Sequence, residues 1–228
     1  MTAPVLAAQI AAQIATVTTT LPPRVRLIAV SKKQPVEAIR AAYQAGVRDF
    51  GESMVQEAIA KQAELTDLKG ITWHLIGHLQ TNKARKALES FNWIHSIDSL
   101  KIAERLDRIA ADIARTPQCC LQVKMVPDDA KFGFSVEALW EALPQLEQLQ
   151  HLNIVGLMTI PPQGTSVTAA QAIFCQAQTL LDQINQQDFD RLHLSELSMG
   201  MSGDYPVAIA AGSTMIRLGT TLFGDRPA

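Results

Sequence analysis

Cysteine, tyrosine and clustered charge are all scarce in this 228-residue chain, and each scarcity excludes a class of protein. Three cysteines, two of them adjacent at Cys119 and Cys120 in an apolar run, do not make a disulfide framework. They read as small buried hydrophobes in a reducing compartment, the cytoplasm. The net charge is −2 and there is no lysine- or arginine-rich block, so no electrostatic case exists for nucleic acid or an anionic membrane. The first 23 residues lack lysine and arginine and are broken by Gln9, Gln13 and a threonine run, unlike a secretion signal. No stretch is long and apolar enough to cross a bilayer. A small molecule is the expected partner.

What is present is a chain with 47% hydrophobic residues, enough for one large core, and an alternation of short β-branched runs with longer helical patterns. The runs predict strands over Val25–Ser31, Arg48–Gly51, Ile71–Ile76, Trp93–Ser96, Cys119–Met125, Leu152–Met158, Leu192–Glu196 and Met215–Leu218. Helices are predicted over Pro35–Ala45, Val55–Glu64, Thr81–Leu88, Leu100–Ala114, Val136–Leu149, Thr168–Asn185 and Pro206–Ala211. This order predicts a single α/β domain over residues 1–228, a (β/α)8 TIM-type barrel, with an open doubly wound sheet as the alternative. An extra N-terminal helix, Val5–Val17, is expected to cover the gap left where no long helix follows the last strand. Gly46 reads as a helix C-cap, and Ser99 and Ser135 as N-caps.

In such barrels the functional face lies at the C-terminal ends of the strands, with phosphate held after the seventh and eighth. Two glycine- and hydroxyl-rich turns stand there: Ser198-Met-Gly-Met-Ser-Gly-Asp204 and Arg217-Leu-Gly-Thr-Thr221. Gly200, Gly203 and Gly219 free backbone N–H groups to approach an anion, and Ser198, Ser202 and Thr220 add hydroxyl donors. Taken one at a time they are ordinary turn residues. The helix after Asp204 is expected to aim its N-terminus at the same anion.

Lys32 ends the first strand, and alternation puts it on the face of Ile28 and Val30, toward the barrel mouth. Apolar walls there favour the neutral amine that attacks an aldehyde. Lys124, near the end of the fifth predicted strand, is the competing amine. Arg217 lies within an apolar run and needs an acceptor, either a pyridine ring nitrogen or a buried carboxylate such as Glu196 or Glu52. His74 and His78 straddle a strand end and Gly77, which argues against a metal site; either can line a pocket or serve the structure.

The segments Ala29-Val-Ser-Lys32, Phe50-Gly-Glu52, Val55-Gln-Glu57, His74-Leu-Ile-Gly77, His95-Ser-Ile-Asp98, Gly156-Leu-Met158, Leu197 to Asp204, and Ala211 to Met215 leading into Arg217 and Gly219-Thr220 occur in order along the chain. Together they resemble the pyridoxal phosphate homeostasis protein family, whose barrel is similar to the N-terminal domain of alanine racemase. The resemblance implies that pyridoxal 5'-phosphate is the cofactor and Lys32 forms the aldimine. It implies further that Arg217 meets the pyridine nitrogen and that Ser198, Gly200, Ser202, Gly219 and Thr220 surround the phosphate, with His74 and Met158 also in the site. It implies a monomer that takes part in intracellular homeostasis of the cofactor without turnover, with apoenzymes or a regulatory protein as partners. Departures from the family pattern fall at Ser53, Met54, His78 and Lys124.

Two other functions compete. One is a pyridoxal-phosphate-dependent amino-acid racemase or decarboxylase, the other an aldolase whose lysine binds substrate without a cofactor. Racemisation needs a second acid/base, and the two tyrosines, Tyr43 on an outer helix and Tyr205 in the phosphate turn, are poorly placed for it.

Overall fold

The computed structural model describes residues 3–128 and 130–224. Strands β1 (Arg26–Val30), β2 (Asp49–Glu52), β3 (Thr72–Leu75), β4 (Trp93–Ile97) and β5 (Gln118–Lys124) follow one another round a closed parallel sheet. It continues with β7 (Asn153–Met158), β8 (Glu196–Ser198) and β9 (Met215–Leu218), and β9 pairs back onto β1. β6 is a two-residue strand, Phe134–Ser135, attached to β5 beside the barrel. Helices α2 (Val36–Gln44), α3 (Val55–Glu64), α4 (Ala84–Ser90), α5 (Leu100–Asp112), α6 (Val136–Glu147), α7 (Val167–Asn185), α8 (Tyr205–Ala210) and α9 (Thr220–Phe223) intervene or follow.

The period of two along each strand divides the core. Ala29, Phe50, Leu75, Ile94, Leu121, Leu157, Leu197 and Ile216 pack outward under the helices. Ile28, Trp93, Cys120, Met158 and Met215 form a separate cluster, inside the barrel. α1 (Ala3–Thr18) buries Ile10, Ile14 and Val17, spaced on one helical face, and packs against α2 and α9. It covers the gap expected of it, because α9 is a single turn.

Local signals were legible to different degrees. Gly46, at φ +98°, closes α2 with bonds from its own N–H to Tyr43 and from Val47 N–H to Ala42, a Schellman ending. Ser135 caps α6 by accepting from Ala138 N–H, whereas Ser99 stands at the start of α5 but turns its hydroxyl to Asp98. The expected helix Thr81–Leu88 opens as a 3-10 turn over Thr81–Lys83 before α4.

The expected strand Leu192–Glu196 is a correction: the ladder strand is Glu196–Ser198. Leu192 and Leu194 are buried, as an alternating strand would have them, but side chains satisfy their backbone. Asn185 brackets Leu194 N–H and C=O, and the Glu147 carboxylate accepts from the N–H groups of Asp190, Arg191 and Leu192. Among the described residues no helix is long and apolar enough to cross a membrane.

Candidate functional site at the C-terminal barrel mouth

Strand direction places Lys32, Gly77, the Ser198–Asp204 turn and the Gly219–Thr220 turn at one end of the barrel. A cleft of about 240 Å³ opens there, lined by Val30, Lys32, Gln34, Ile76, Ile160, Met201, Ser202, Gly203, Arg217, Gly219, Thr220 and Gly224. Of the expected residues, Lys32, Arg217, Ser202, Gly219 and Thr220 meet in it.

Lys32 sits just past β1, half-buried, and the turn that carries it is clamped from α3 and β2. Ser31 Oγ donates to Glu52 Oε1 at 2.7 Å, Lys61 Nζ donates to the Ser31 carbonyl at 2.7 Å, and Lys33 N–H donates to Glu57 Oε1 at 2.5 Å. Lys61 also bridges the two carboxylates, 2.8 Å from Glu52 and 2.7 Å from Glu57. Lys33 holds φ +61°, a left-handed conformation costly for a side-chain-bearing residue, so the tertiary bonds fix a turn the local sequence does not favour. Burial pushes the Glu52 carboxyl above its usual range despite the bonds from Lys61 and Ser31. Burial also opposes ionisation of Glu57, but Lys61 and the Lys33 N–H bring it below its usual range.

Lys124, the competing amine, donates to the Asp128 carbonyl of its own loop and does not line the cleft. His78 bonds Asp98 at 2.7 Å and stacks on Phe132, ring centres 3.5 Å apart, and does not line the cleft.

Arg217 rises from β9 into the floor of the cleft and is 3% exposed. Its Nη1 donates to Ser198 Oγ at 2.6 Å and its Nη2 to the Thr159 carbonyl at 3.1 Å. The two carboxylates weighed as partners are engaged elsewhere, Glu196 with Thr214 Oγ1 and Glu52 with Ser31 and Lys61. Among the described residues no carboxylate lies within ion-pair distance of the guanidinium, and burial pushes it down to about 10. A buried cation bonded only to neutral oxygens retains donors for a neutral acceptor in the cleft.

Four other residues expected at the cofactor lie outside the cleft lining. Ser198 is on β8 inside the barrel, its hydroxyl held between Arg217 and His95, because the ladder runs through it instead of turning there. Gly200 is buried; its φ is +94°, and a Cβ would come 2.7 Å from Ala208 Cβ, so the glycine makes room for α8. His74 is fully buried between Asp49 and His95, and Met158 lies in the inner apolar cluster. None of the four lines the cleft. The helix end also contributes less than expected: α8 has six residues, and Asp204 at its start accepts from Met201 N–H, setting a carboxylate where an anion would be drawn. The hydroxyl and glycine residues of the two turns that do line the cleft are Ser202, Gly203, Gly219 and Thr220.

Sequence reasoning missed Lys61 and left His95 without a role. The Glu57–Lys61 spacing of four on one helix was a visible signal, but only tertiary packing brings Ser31 and Glu52 to it. The lining fits a small molecule with an aldehyde for Lys32, a neutral ring acceptor for Arg217 and a phosphate for the turns.

The chain is a closed parallel barrel of the alanine racemase N-terminal domain class, whose family pattern matches residues 5–227. Within that class the chain belongs to the pyridoxal phosphate homeostasis protein family. The relative of that name from Synechocystis is 56% identical over 207 residues, covering 91% of this chain and 94% of the relative. The structure of PipY from Synechococcus elongatus with PLP bound superposes with a TM-score of 0.91 at 57% identity, covering 95% of this chain and all of that one. The alanine racemase of Clostridium difficile shares the fold, with a TM-score of 0.72 at 15% identity over 57% of its own length.

Proposed function

We propose that this protein binds pyridoxal 5'-phosphate and serves intracellular homeostasis of that cofactor, without catalytic turnover. The observation that carries the reading is the meeting of Lys32, Arg217, Ser202, Gly219 and Thr220 in one cleft. Lys32 attaches the cofactor aldehyde covalently, and the turns hold the phosphate. Arg217 donates to the pyridine nitrogen and leaves it unprotonated, which makes the bound ring a weak electron sink.

The lining supports holding over turnover. Among the described residues lining the cleft the ionisable groups are Lys32 and Arg217, so a substrate there finds no second acid/base. Tyr43 bonds the Lys69 carbonyl on the outside of the barrel, and Tyr205 begins α8. The partly open cleft excludes water poorly, which suits exchange of the cofactor with apoenzymes in the cytoplasm.

The test is a visible spectrum of protein loaded with pyridoxal phosphate, followed by borohydride reduction and peptide mapping. A visible band with the reduced adduct on Lys32, lost in Lys32→Ala, is expected. An adduct persisting in Lys32→Ala moves the attachment to Lys124, and a colourless protein that takes up no cofactor removes the reading. Incubation of the loaded protein with L- and D-amino acids is expected to leave their configuration and mass unchanged.

A further inference from the structure

A continuous row of hydrogen bonds crosses the barrel interior from the cleft floor to the opposite end. Arg217 Nη1 meets Ser198 Oγ at 2.6 Å, Ser198 Oγ meets His95 Nδ1 at 2.8 Å, His95 Nε2 meets His74 Nδ1 at 2.9 Å, and His74 Nε2 meets Asp49 Oδ1 at 2.9 Å. Five side chains from β9, β8, β4, β3 and β2 take part, and the three in the middle are buried to within 1% of full enclosure. Asp49 is the first residue of β2, and its side chain, 24% exposed, faces a separate cavity of about 410 Å³ at the N-terminal end of the barrel.

With one hydrogen on each imidazole, the two ends fix the direction of every bond between them. A guanidinium only donates and a carboxylate only accepts. Ser198 must therefore accept from Arg217 and pass its own hydrogen to His95 Nδ1. His95 must then carry its hydrogen on Nε2 and donate to His74 Nδ1, and His74 must carry its hydrogen on Nε2 and donate to Asp49. In this arrangement both imidazoles are single-hydrogen tautomers, and every ring nitrogen is satisfied. Burial pushes both below the usual histidine range, in keeping with neutral rings; for His95 the charges of Arg217 and Arg26 add to it, and for His74 Asp49 opposes it. Among the described residues the other groups beside the row include Trp93, stacked on His74, Arg26, which lies 5.0 Å above Trp93 and 3.9 Å from Asp49, Cys120, and Glu196, which shares the β8 face of Ser198 and bonds Thr214.

We propose that Asp49, His74, His95 and Ser198 are positioning residues for Arg217, a one-way hydrogen-bond relay through which a carboxylate at the far end of the barrel sets the guanidinium's orientation and donor strength toward the cofactor. The proposal rests on the functional reading above for its cofactor and deepens it. Aligned bonds polarise one another, so negative charge at Asp49 strengthens each donor's neighbour up to Ser198, which in turn draws on Arg217. A barrel interior filled by apolar side chains alone would hold no such connection between its two mouths.

The experiment has two arms on the same proteins. In cofactor-free protein labelled with 15N, long-range proton–nitrogen correlations report the histidine tautomers: His74 and His95 are both expected to carry hydrogen on Nε2 near neutral pH. Hydrogen on Nδ1 of either ring, or on both nitrogens, overturns the relay. In protein loaded with pyridoxal phosphate, Asp49→Asn, which retains an oxygen acceptor but loses the charge, is expected to shift the visible band and to release cofactor about two- to tenfold faster. Asp49→Glu is expected to restore the wild-type band, and Asp67→Asn, an exposed carboxylate bonded to Arg40, to leave it unmoved. Wild-type band and release rate in Asp49→Asn overturn the proposal. Should the wild-type protein take up no cofactor, the functional reading fails by itself, and the tautomers still decide whether the relay exists.

Discussion

Replacing Lys61 by methionine tests how the turn that carries Lys32 is held in place. The ammonium makes bonds of 2.7, 2.8 and 2.7 Å to the Ser31 carbonyl, Glu52 and Glu57, and the residue is 7% exposed. Methionine preserves most of the stem volume but leaves Glu52 fully buried without its counter-charge, and Glu52 Oε2 already has no partner. Removing one member of a buried pair costs about 3–5 kcal/mol while the other stays charged. Glu52 can escape part of that cost by taking up a proton. Burial already raises it, and loss of Lys61 raises it further. A carboxyl raised in the folded state contributes its stability below the unfolded pKa and loses it as pH climbs through the folded value. The penalty of Lys61→Met is therefore smallest while Glu52 is protonated at the acid end and grows as pH rises through its raised folded value. At roughly 2–4 °C per kcal/mol for a chain of this size, the expected loss in Tm at the upper pH is about 6–20 °C. Thermal unfolding of the cofactor-free protein followed by circular dichroism at three pH values measures it. The double variant Lys61→Met with Glu52→Gln is expected to remove the pH dependence, since a neutral amide has no charge to desolvate. A loss that is equal at all pH values, or below about 2 °C throughout, would refute the buried-pair account of the clamp.

Three further outcomes follow from the geometry. Arg217→Gln is expected to alter the bound cofactor's spectrum more than its phosphate affinity, because the phosphate turns are separate from the β9 guanidinium; titration of the variant with pyridoxal phosphate against inorganic phosphate competition measures both. Gly200→Ala forces a side chain into φ +94° and against Ala208, and chemical denaturation is expected to show a loss of about 1–3 kcal/mol. Burial pushes the Cys120 and Cys119 thiols well above their usual range, while Cys175 is exposed on α7. A thiol reagent is expected to titrate one cysteine in the native protein and three after denaturation, and a second fast-reacting thiol would contradict the buried β5 pair.

Much of the barrel was legible because its signals are local. Alternation along β1 placed Ile28, Val30 and Lys32 on one face, and they occupy the barrel interior and cleft as that pattern requires. The seventh strand was misplaced because Leu192 and Leu194 alternate as a strand does while Asn185 and Glu147 hold their backbone. Within the site, Ser202, Gly219 and Thr220 were readable from glycine and hydroxyl composition near strand ends. Ser198 and Gly200 belong to the same motif and lie outside the cleft lining, one bonding Arg217 and the other admitting α8.

The sequence by itself determined the order of strands and helices, the end of the barrel where the cleft opens, and the lysine and arginine that line it, since periodicity and turn chemistry are properties of neighbouring residues. Only the tertiary structure decided that Lys61 clamps the Lys32 turn, that no described carboxylate pairs with Arg217, and that Asp49 connects to it through two histidines and a serine. Those partners are separated by 19 to 103 positions along the chain except where one helix or its approach brings them near. Closure of a parallel sheet makes them neighbours, and burial inside it gives each missing hydrogen bond a cost that selects one arrangement.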